Sequence, residues 1–254
     1  MKALSTTSIL GIALALAVLL PLTAAAETKK CPRFEKKKPF VYAIGSSTMG
    51  SYLGSYLEQD LPKAGFAFRK WAKASSGLAR PDFHDWISKV PDIAKQWKPD
   101  IFVVSLGTND FQPLRKGKRW IKLGTREWTA EYTARVDKMI QLASGKGNKR
   151  VVVWVGPGIF DQPKARRMAM RINAIVKARI EAFNGPAFHV DLVTPLVGKG
   201  KRPAKTIRVS SRRRVAVFGK DGIHMSREAI NHLMAKPVIR LLTACKEGKA
   251  VTQR

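Results

Sequence analysis

Short apolar runs alternate along the chain with longer segments in which apolar residues recur at helical spacing. The runs are rich in Val, Ile and Phe, which is typical of strands buried on both faces of a sheet; they cover residues 40–44, 66–71, 101–105, 151–155 and 188–191. The segments with helical spacing cover residues 51–59, 84–96, 129–143, 165–183 and 226–242. Because strands that alternate with single helices form right-handed parallel units, the pattern predicts one α/β domain with a parallel central sheet covered on both faces.

The first 26 residues have the organisation of a secretory signal peptide. Lys2 supplies a positive start, residues 9–20 form an apolar run and residues 24–26 are alanines suited to cleavage. The run is shorter than the about 20 residues of a membrane span, and an uncleaved anchor is the alternative interpretation. We predict a periplasmic or secreted protein, cleaved near Ala26 and without a stable membrane span afterwards. Its expected parts are a basic leader at 27–39, one domain at 40–245 and a tail at 246–254.

The two cysteines of the chain, Cys31 and Cys245, lie near the ends of the predicted mature protein. Export would place them where a disulfide persists, so a bond between them is possible. Two unpaired thiols are the alternative, because sequence does not show proximity. The chain has no C-x-x-C and no pair of histidines at metal-ligand spacing. The sequence therefore predicts neither a metal nor a diffusible cofactor.

The chain carries 47 Lys and Arg against 18 Asp and Glu, a formal net charge of +29. Such a charge attracts anions, but no nucleic-acid-binding motif is present, so an acidic envelope polymer is expected and a specific nucleic acid is not. Two basic segments, 115–126 and 199–214, follow the third and fifth predicted strands. They should lie at the carboxyl edge of the sheet, where open α/β sheets bind ligands; a solvated basic surface is the alternative. Their predicted substrate contacts are Trp120, Arg212, Arg213 and Arg214.

Polar residues with the chemistry of acyl transfer follow the predicted strands. Ser47 in GSST could attack an ester, His224 in DGIH could take its proton, and Asp221 could orient that imidazole. The backbone amides of Ser47 and Gly77 and the side-chain amide of Asn109 in GTND could stabilise the oxyanion. Glycine at 77 would also let the backbone approach the substrate closely. Taken alone, these residues have structural alternatives as a helix cap, a turn residue and a helix start.

The stretches GSST, SSGLARPDF, GTND and DGIH resemble, in order, the four blocks of the SGNH (GDSL-like) hydrolases. The surrounding sequences, such as SLGTNDFQP and DGIHMSREA, resemble a bacterial periplasmic subfamily of unknown function, and the resemblance covers residues 40–243. It implies a flavodoxin-like three-layer α/β/α sandwich, in which the serine, histidine and aspartate named above form the triad. Ser46 stands where the family usually has Asp; that Asp is not the triad acid, but its loss could alter the turn that presents Ser47.

By this resemblance, the chain is expected to be a serine esterase that removes O-acetyl or other short acyl groups from an envelope or extracellular carbohydrate. The two basic segments favour an acidic polysaccharide as the polymer. Two alternatives remain: an O-acetyltransferase that uses the same triad, and a non-catalytic binder of anionic envelope polymers. The sequence does not indicate an oligomeric state.

Overall fold

A five-stranded sheet forms the centre of the protein. The computed structural model describes residues 28–198, 200, 202–221 and 224–252, so the predicted signal peptide and its cleavage point lie outside the described residues. In chain order the strands are β1 (Thr28–Lys29), β2 (Phe40–Gly45), β3 (Ala67–Ala72), β4 (Ile101–Ser105), β5 (Leu114–Lys116), β6 (Arg119–Ile121), β7 (Val151–Val155), β8 (Ala187–Val190), β9 (Thr206–Arg208), β10 (Arg214–Ala216) and β11 (Val251–Thr252). The helices are α1 (Ser47–Gly50), α2 (Tyr52–Asp60), α3 (Trp86–Trp97), α4 (Arg126–Ser144), α5 (Pro163–Ala182), α6 (Val193–Leu196), α7 (Arg227–Ile230) and α8 (Lys236–Lys246).

The strand order of the central sheet is β3-β2-β4-β7-β8, and all its strands are parallel. Numbered among themselves in chain order, these strands run 2-1-3-4-5, which is the order of flavodoxin-like folds. Every residue of β4 and β7 is buried, as expected where helices cover both faces. The predicted parallel α/β fold is therefore confirmed, and each of the five predicted strands lies in this sheet.

Alternate residues of each strand pack against different layers of helices, because successive side chains point to opposite faces. On one face, Ile44 and Val104 pack in a core with α3, α4 and α5. On the other face, Ala43 and Val103 pack in a core with α2, α7 and α8. The result is the three-layer α/β/α sandwich that the resemblance implied.

The leader and the tail are joined to each other. β1 pairs antiparallel with β11, and a disulfide links Cys31 with Cys245, whose Cα atoms are 5.2 Å apart. Lys29 Nζ donates hydrogen bonds to the carbonyl oxygens of Ile180 and Phe183 at 2.6 and 2.7 Å. These contacts tie the basic leader, which the sequence pattern leaves irregular, to the end of α5.

Both basic segments contain antiparallel hairpins, formed by β5 with β6 and by β9 with β10. The predicted final helix is less regular than its apolar spacing suggests, because a π-helical segment, Asn231–Ala235, separates α7 from α8. Within the part of the chain that the structure describes, no helix has the length and apolar composition of a membrane span.

Candidate active site

The register of the central sheet brings three strand ends together. Gly45 at the end of β2 is the register partner of Ala72 in β3 and of Ser105 in β4. The turns that follow these strands therefore lie side by side at one edge of the sheet. The GSST turn is pressed against β4: the Ser46 amide donates to the Ser105 carbonyl oxygen at 3.2 Å, and a Cβ at Gly45 would lie 2.6 Å from that oxygen.

A cavity of about 770 Å³ opens at this edge, and its wall contains four of the predicted site residues: Ser47, Asn109, Asp221 and His224. Ser47 is half-buried at the first position of α1, and Asn109 lies in the loop after β4. The other two precede α7. Three segments far apart in sequence thus supply one wall with a hydroxyl, an amide and an imidazole–carboxylate pair.

His224 and Asp221 form a close pair. Nδ1 of the imidazole lies 2.6 Å from Asp221 Oδ2, and the His224 amide donates to Asp221 Oδ1 at 3.0 Å. Because the carboxylate engages Nδ1, Nε2 is the nitrogen left to accept a proton. Within the described residues no hydrogen bond joins His224 to Ser47, although both line the cavity; such contacts commonly tighten only when substrate binds.

The amides predicted for the oxyanion hole are placed around the same turns. Asn109 Nδ2 donates one proton to the Ser76 carbonyl oxygen at 2.9 Å, which leaves its second proton for another acceptor. The Ser47 amide is in the first turn of α1, where backbone donors lack partners inside the helix. The Ser46 side chain makes no capping bond there. The side-chain amide of Asn109 and the backbone amide of Ser47 can therefore both donate to a developing negative charge.

Gly77 lies in the wall of a neighbouring, smaller cavity of about 340 Å³ rather than in the wall of the Ser47 cavity. Close approach of substrate is the reason predicted for this glycine, but the structure gives a different one. A Cβ at Gly77 would lie 2.1 Å from Asp110 Oδ1, so a side chain is excluded by a buried carboxylate. The role of the Gly77 amide in the oxyanion hole stays a prediction.

Asp110 is a functional candidate that the sequence patterns do not identify. Its fully buried carboxylate accepts hydrogen bonds from the Ala79 amide at 2.7 Å and from the Tyr132 hydroxyl at 2.9 Å. Burial raises the pKa of Asp110, but its contacts are donors, and donors favour the charged form. Arg135 reinforces the same turn by donating to the Leu78 carbonyl oxygen at 2.6 Å. The signal in the sequence is the Asp that directly follows Asn in GTND.

The predicted substrate contacts in the basic segments lie outside the wall of the Ser47 cavity. Trp120 is 48% exposed on β6, with the guanidinium carbons of Arg80 and Arg115 at 4.9 and 5.0 Å from its ring centroid. The roles predicted for Trp120 and for the arginine cluster remain predictions.

The arginine cluster belongs to the β9–β10 hairpin. Arg214 donates to the Thr206 carbonyl oxygen at 3.1 Å, and Arg213 lies 4.0 Å from a carboxylate oxygen of Glu228 in α7. Arg212 is exposed beside them. The hairpin therefore lies next to α7, whose first residue does line the cavity.

The cavity wall also contains residues that the sequence patterns do not identify, among them Tyr52, Lys220 and Arg227. Tyr52 is five positions after the candidate nucleophile, and the two cations flank the DGIH stretch. Among the described residues, no group of three or more His, Cys, Asp or Glu side chains is arranged to hold a metal ion.

Comparison with known proteins supports the assignment of the fold. A family model described as "Protein of unknown function (DUF459)" matches residues 40–240. No curated protein matches the chain. Among solved structures, Est24, a carbohydrate acetylesterase from Sinorhizobium meliloti, is 16% identical with a TM-score of 0.51, covering 80% of this chain and 100% of that one. The aryl esterase of M. smegmatis is 14% identical with a TM-score of 0.51, covering 82% and 99%.

A third solved structure is a member of the lipolytic protein G-D-S-L family from Veillonella parvula. It is 14% identical with a TM-score of 0.52, covering 80% of this chain and 98% of its own. At these identities the likeness concerns the fold. It confirms the three-layer α/β/α sandwich with a parallel central sheet.

Proposed function

The chain belongs to the family described as a protein of unknown function (DUF459), and we propose that it is a serine esterase of the SGNH type. It removes O-acetyl or other short acyl groups from an envelope or extracellular carbohydrate. The observation that carries this proposal is the shared cavity wall of Ser47, Asn109 and the His224–Asp221 pair, in which Nδ1 and Oδ2 are 2.6 Å apart.

In the proposed reaction, Ser47 Oγ attacks the carbonyl carbon of the ester while His224 Nε2 takes the hydroxyl proton. Asp221 holds the imidazole through Nδ1 and stabilises its charged form. The amides of Ser47 and Asn109, with that of Gly77, donate to the oxyanion. Collapse of the intermediate breaks the bond to the sugar oxygen, which leaves with the proton from His224.

Water then attacks the acyl-enzyme and gives its proton to His224, and the acid leaves as Ser47 recovers its hydrogen. The side chain of His224 is 66% exposed, so water has direct access to the base. That access favours hydrolysis over transfer of the acyl group to a second sugar.

Support for a carbohydrate substrate comes from the size and composition of the cavity. A volume of about 770 Å³ is large for an acetyl group and suits a sugar unit with its neighbours, within the range of about 300–1,000 Å³ for ligand sites. The wall combines apolar rings such as Phe111 and Phe160 with hydroxyl and cationic groups.

The test compares Ser47→Ala with the wild-type protein, and uses Ser46→Ala as the matched control in the same turn. We expect Ser47→Ala to lower kcat for an aryl acetate by at least about a thousandfold, whereas Ser46→Ala remains active. Acetate release from an O-acetylated polysaccharide should follow the same pattern. Equal activity of Ser47→Ala and wild type would refute the assignment of the nucleophile. A wild-type protein inert towards both substrates would favour the non-catalytic binder.

A further inference from the structure

We propose that the Ser47 cavity contains a subsite for an acidic sugar, in which Tyr52 packs against the sugar ring and Arg227 binds its carboxylate. The inference rests on the proposed function, because it names the substrate class of the same site. It assigns the acidic sugar to two residues of the cavity wall instead of to the basic segments.

The guanidinium of Arg227 is held in place by two aromatic side chains of α2. Its Nε donates to the Tyr56 hydroxyl at 3.1 Å. Its Cζ lies 5.8 Å from the ring centroid of Tyr56 and 6.0 Å from that of Tyr52. The two tyrosines are four positions apart and so share one face of the helix. Among the described residues no hydrogen bond engages the Nη atoms of Arg227, so they can bind a ligand while the Nε bond to Tyr56 orients the side chain.

The charge of the cavity wall is unbalanced. Arg227 and Lys220 both line it. No carboxylate of the described residues lies within salt-bridge distance of either cation, although Glu228 attracts Arg227 from further away. The carboxylate in the wall, Asp221, is engaged with His224 at 2.6 Å. By contrast, the neighbouring hairpin arginine, Arg213, faces Glu228 at 4.0 Å. A concave site lined by an excess of cations attracts anions.

The groups present match an acidic sugar better than a simple anion. Tyr52 is 46% exposed and lines the cavity, so its ring can pack against the C–H face of a pyranose, whose hydrogens meet the negative face of the π-system. A guanidinium binds a carboxylate through two parallel hydrogen bonds. An aromatic ring beside a fixed guanidinium is therefore suited to a uronic acid unit.

The subsite adjoins the reacting groups. Tyr52 is five residues after Ser47, and Arg227 is three residues after His224. A sugar held by this pair would place its own acyl ester, or that of the next unit, towards the nucleophile. The β9–β10 hairpin extends the positive field outward from α7, so it contributes to attraction of the polymer without touching the bound sugar.

The test measures binding by titration calorimetry, with a trimer of galacturonic acid and its neutral, carboxyl-reduced counterpart as probes. The proteins are wild type, Arg227→Gln and the control Arg33→Gln, which removes the same charge. Arg33 is exposed in the leader. The leader contacts the sheet at the amino end of β4, opposite the end that carries the cavity, through the Lys36–Asp100 ion pair at 2.9 Å. All titrations are run at one ionic strength, because surface charge effects depend on salt.

We expect Arg227→Gln to weaken binding of the acidic trimer by about tenfold to a hundredfold, the effect of losing a charge-assisted hydrogen bond. Arg33→Gln should change it by less than about twofold. Tyr52→Ala should weaken binding of both the acidic and the neutral trimer, since it removes the platform and not the charge. Equal losses for the two arginine variants, equal binding of both trimers by wild type, or no binding at all would each overturn the subsite.

Acetate release separates failure of the subsite from failure of the proposed function. Wild type and Ser47→Ala are compared on an O-acetylated polyuronate and on its carboxyl-reduced form. If binding depends on Arg227 but neither polymer loses acetate, the subsite stands and the esterase proposal fails. If Ser47-dependent acetate release occurs equally from both polymers and binding is independent of Arg227, the esterase stands and the subsite fails.

Discussion

Replacing Asp110 with Asn tests whether a buried carboxylate holds the turn that carries Gly77. The substitution keeps the size of the side chain and removes its charge. In the structure the two carboxylate oxygens accept from the Ala79 amide at 2.7 Å and from the Tyr132 hydroxyl at 2.9 Å. Asn has one acceptor oxygen and one NH₂ group, so it cannot accept from both donors. Either the Tyr132 hydroxyl turns to accept from the NH₂ group or the Ala79 amide faces that group, and in both cases the two bonds lose their charged acceptor.

The expected magnitude follows from these contacts. A hydrogen bond to a charged group contributes about 1.5–3 kcal/mol, and a buried donor left unsatisfied costs about 1–3 kcal/mol. We therefore expect Asp110→Asn to lower the free energy of unfolding by about 3 kcal/mol. The turn that would move also carries Ser76, which accepts from Asn109. Loss of one aligned oxyanion donor costs about 100-fold or more in kcat, so kcat should fall by about 100-fold with little change in KM.

The assay combines urea unfolding with steady-state hydrolysis of an aryl acetate. The matched control is Asp92→Asn, at an exposed position of α3, which should leave both quantities near those of wild type. A folded Asp110→Asn protein with kcat within about twofold of wild type would refute the argument, because a displaced oxyanion donor must affect the transition state. A rise in KM alone would equally contradict it, since that indicates lost substrate binding and not lost transition-state stabilisation.

Two further predictions concern buried polar groups. Ser46→Ala should raise the free energy of unfolding by about 1 kcal/mol. The buried Ser46 hydroxyl has no hydrogen-bond partner among the described residues, and an unsatisfied buried hydroxyl destabilises the folded state. A lower thermal midpoint for this variant would contradict the reasoning. Burial lowers the pKa of His189 from 6.5 to about 4, so the unfolded chain takes up a proton at higher pH than the folded one. Stability is then fully present above pH 6.5 and falls by about 3 kcal/mol as the pH drops towards 4. His189→Gln should flatten this slope in urea unfolding at several pH values, and an unchanged slope would count against the assignment.

The central sheet could be predicted from sequence because each of its strands is an uninterrupted apolar run. Runs such as Val151–Val155 are buried on both faces, and a parallel sheet covered by helices is the arrangement that accommodates them. The position of Ser47 and Asn109 at one edge then follows from chain direction, since parallel strands place their carboxyl ends together. The fold and the approximate location of the site thus depend on local pattern and topology.

The rest of the site depends on contacts between side chains far apart in sequence. The interaction of Arg227 with Tyr56 spans 171 positions, and the bond from Ala79 to Asp110 spans 31. No periodicity encodes such pairs. The substrate contacts predicted from sequence are therefore exposed basic segments, including Trp120. In the structure the cavity is lined by Tyr52, Lys220 and Arg227 instead.

Some of the excess positive charge stabilises the fold, which composition alone does not show. With 18 Asp and Glu for 47 Lys and Arg, several buried or half-buried arginines donate to backbone carbonyl oxygens; one of them, Arg135, also pairs with Glu131 at 3.0 Å. Arg135 donates to the Leu78 carbonyl at 2.6 Å, Arg150 to the Ala143 carbonyl at 2.6 Å and Arg166 to the Asp161 carbonyl at 2.5 Å. These side chains stabilise loops and helix ends, so part of the positive charge belongs to arginines that support the fold. Binding of acidic polymers can therefore not be inferred from net charge, and two variants of equal charge, such as Arg227→Gln and Arg33→Gln, are needed to separate a specific subsite from the general field.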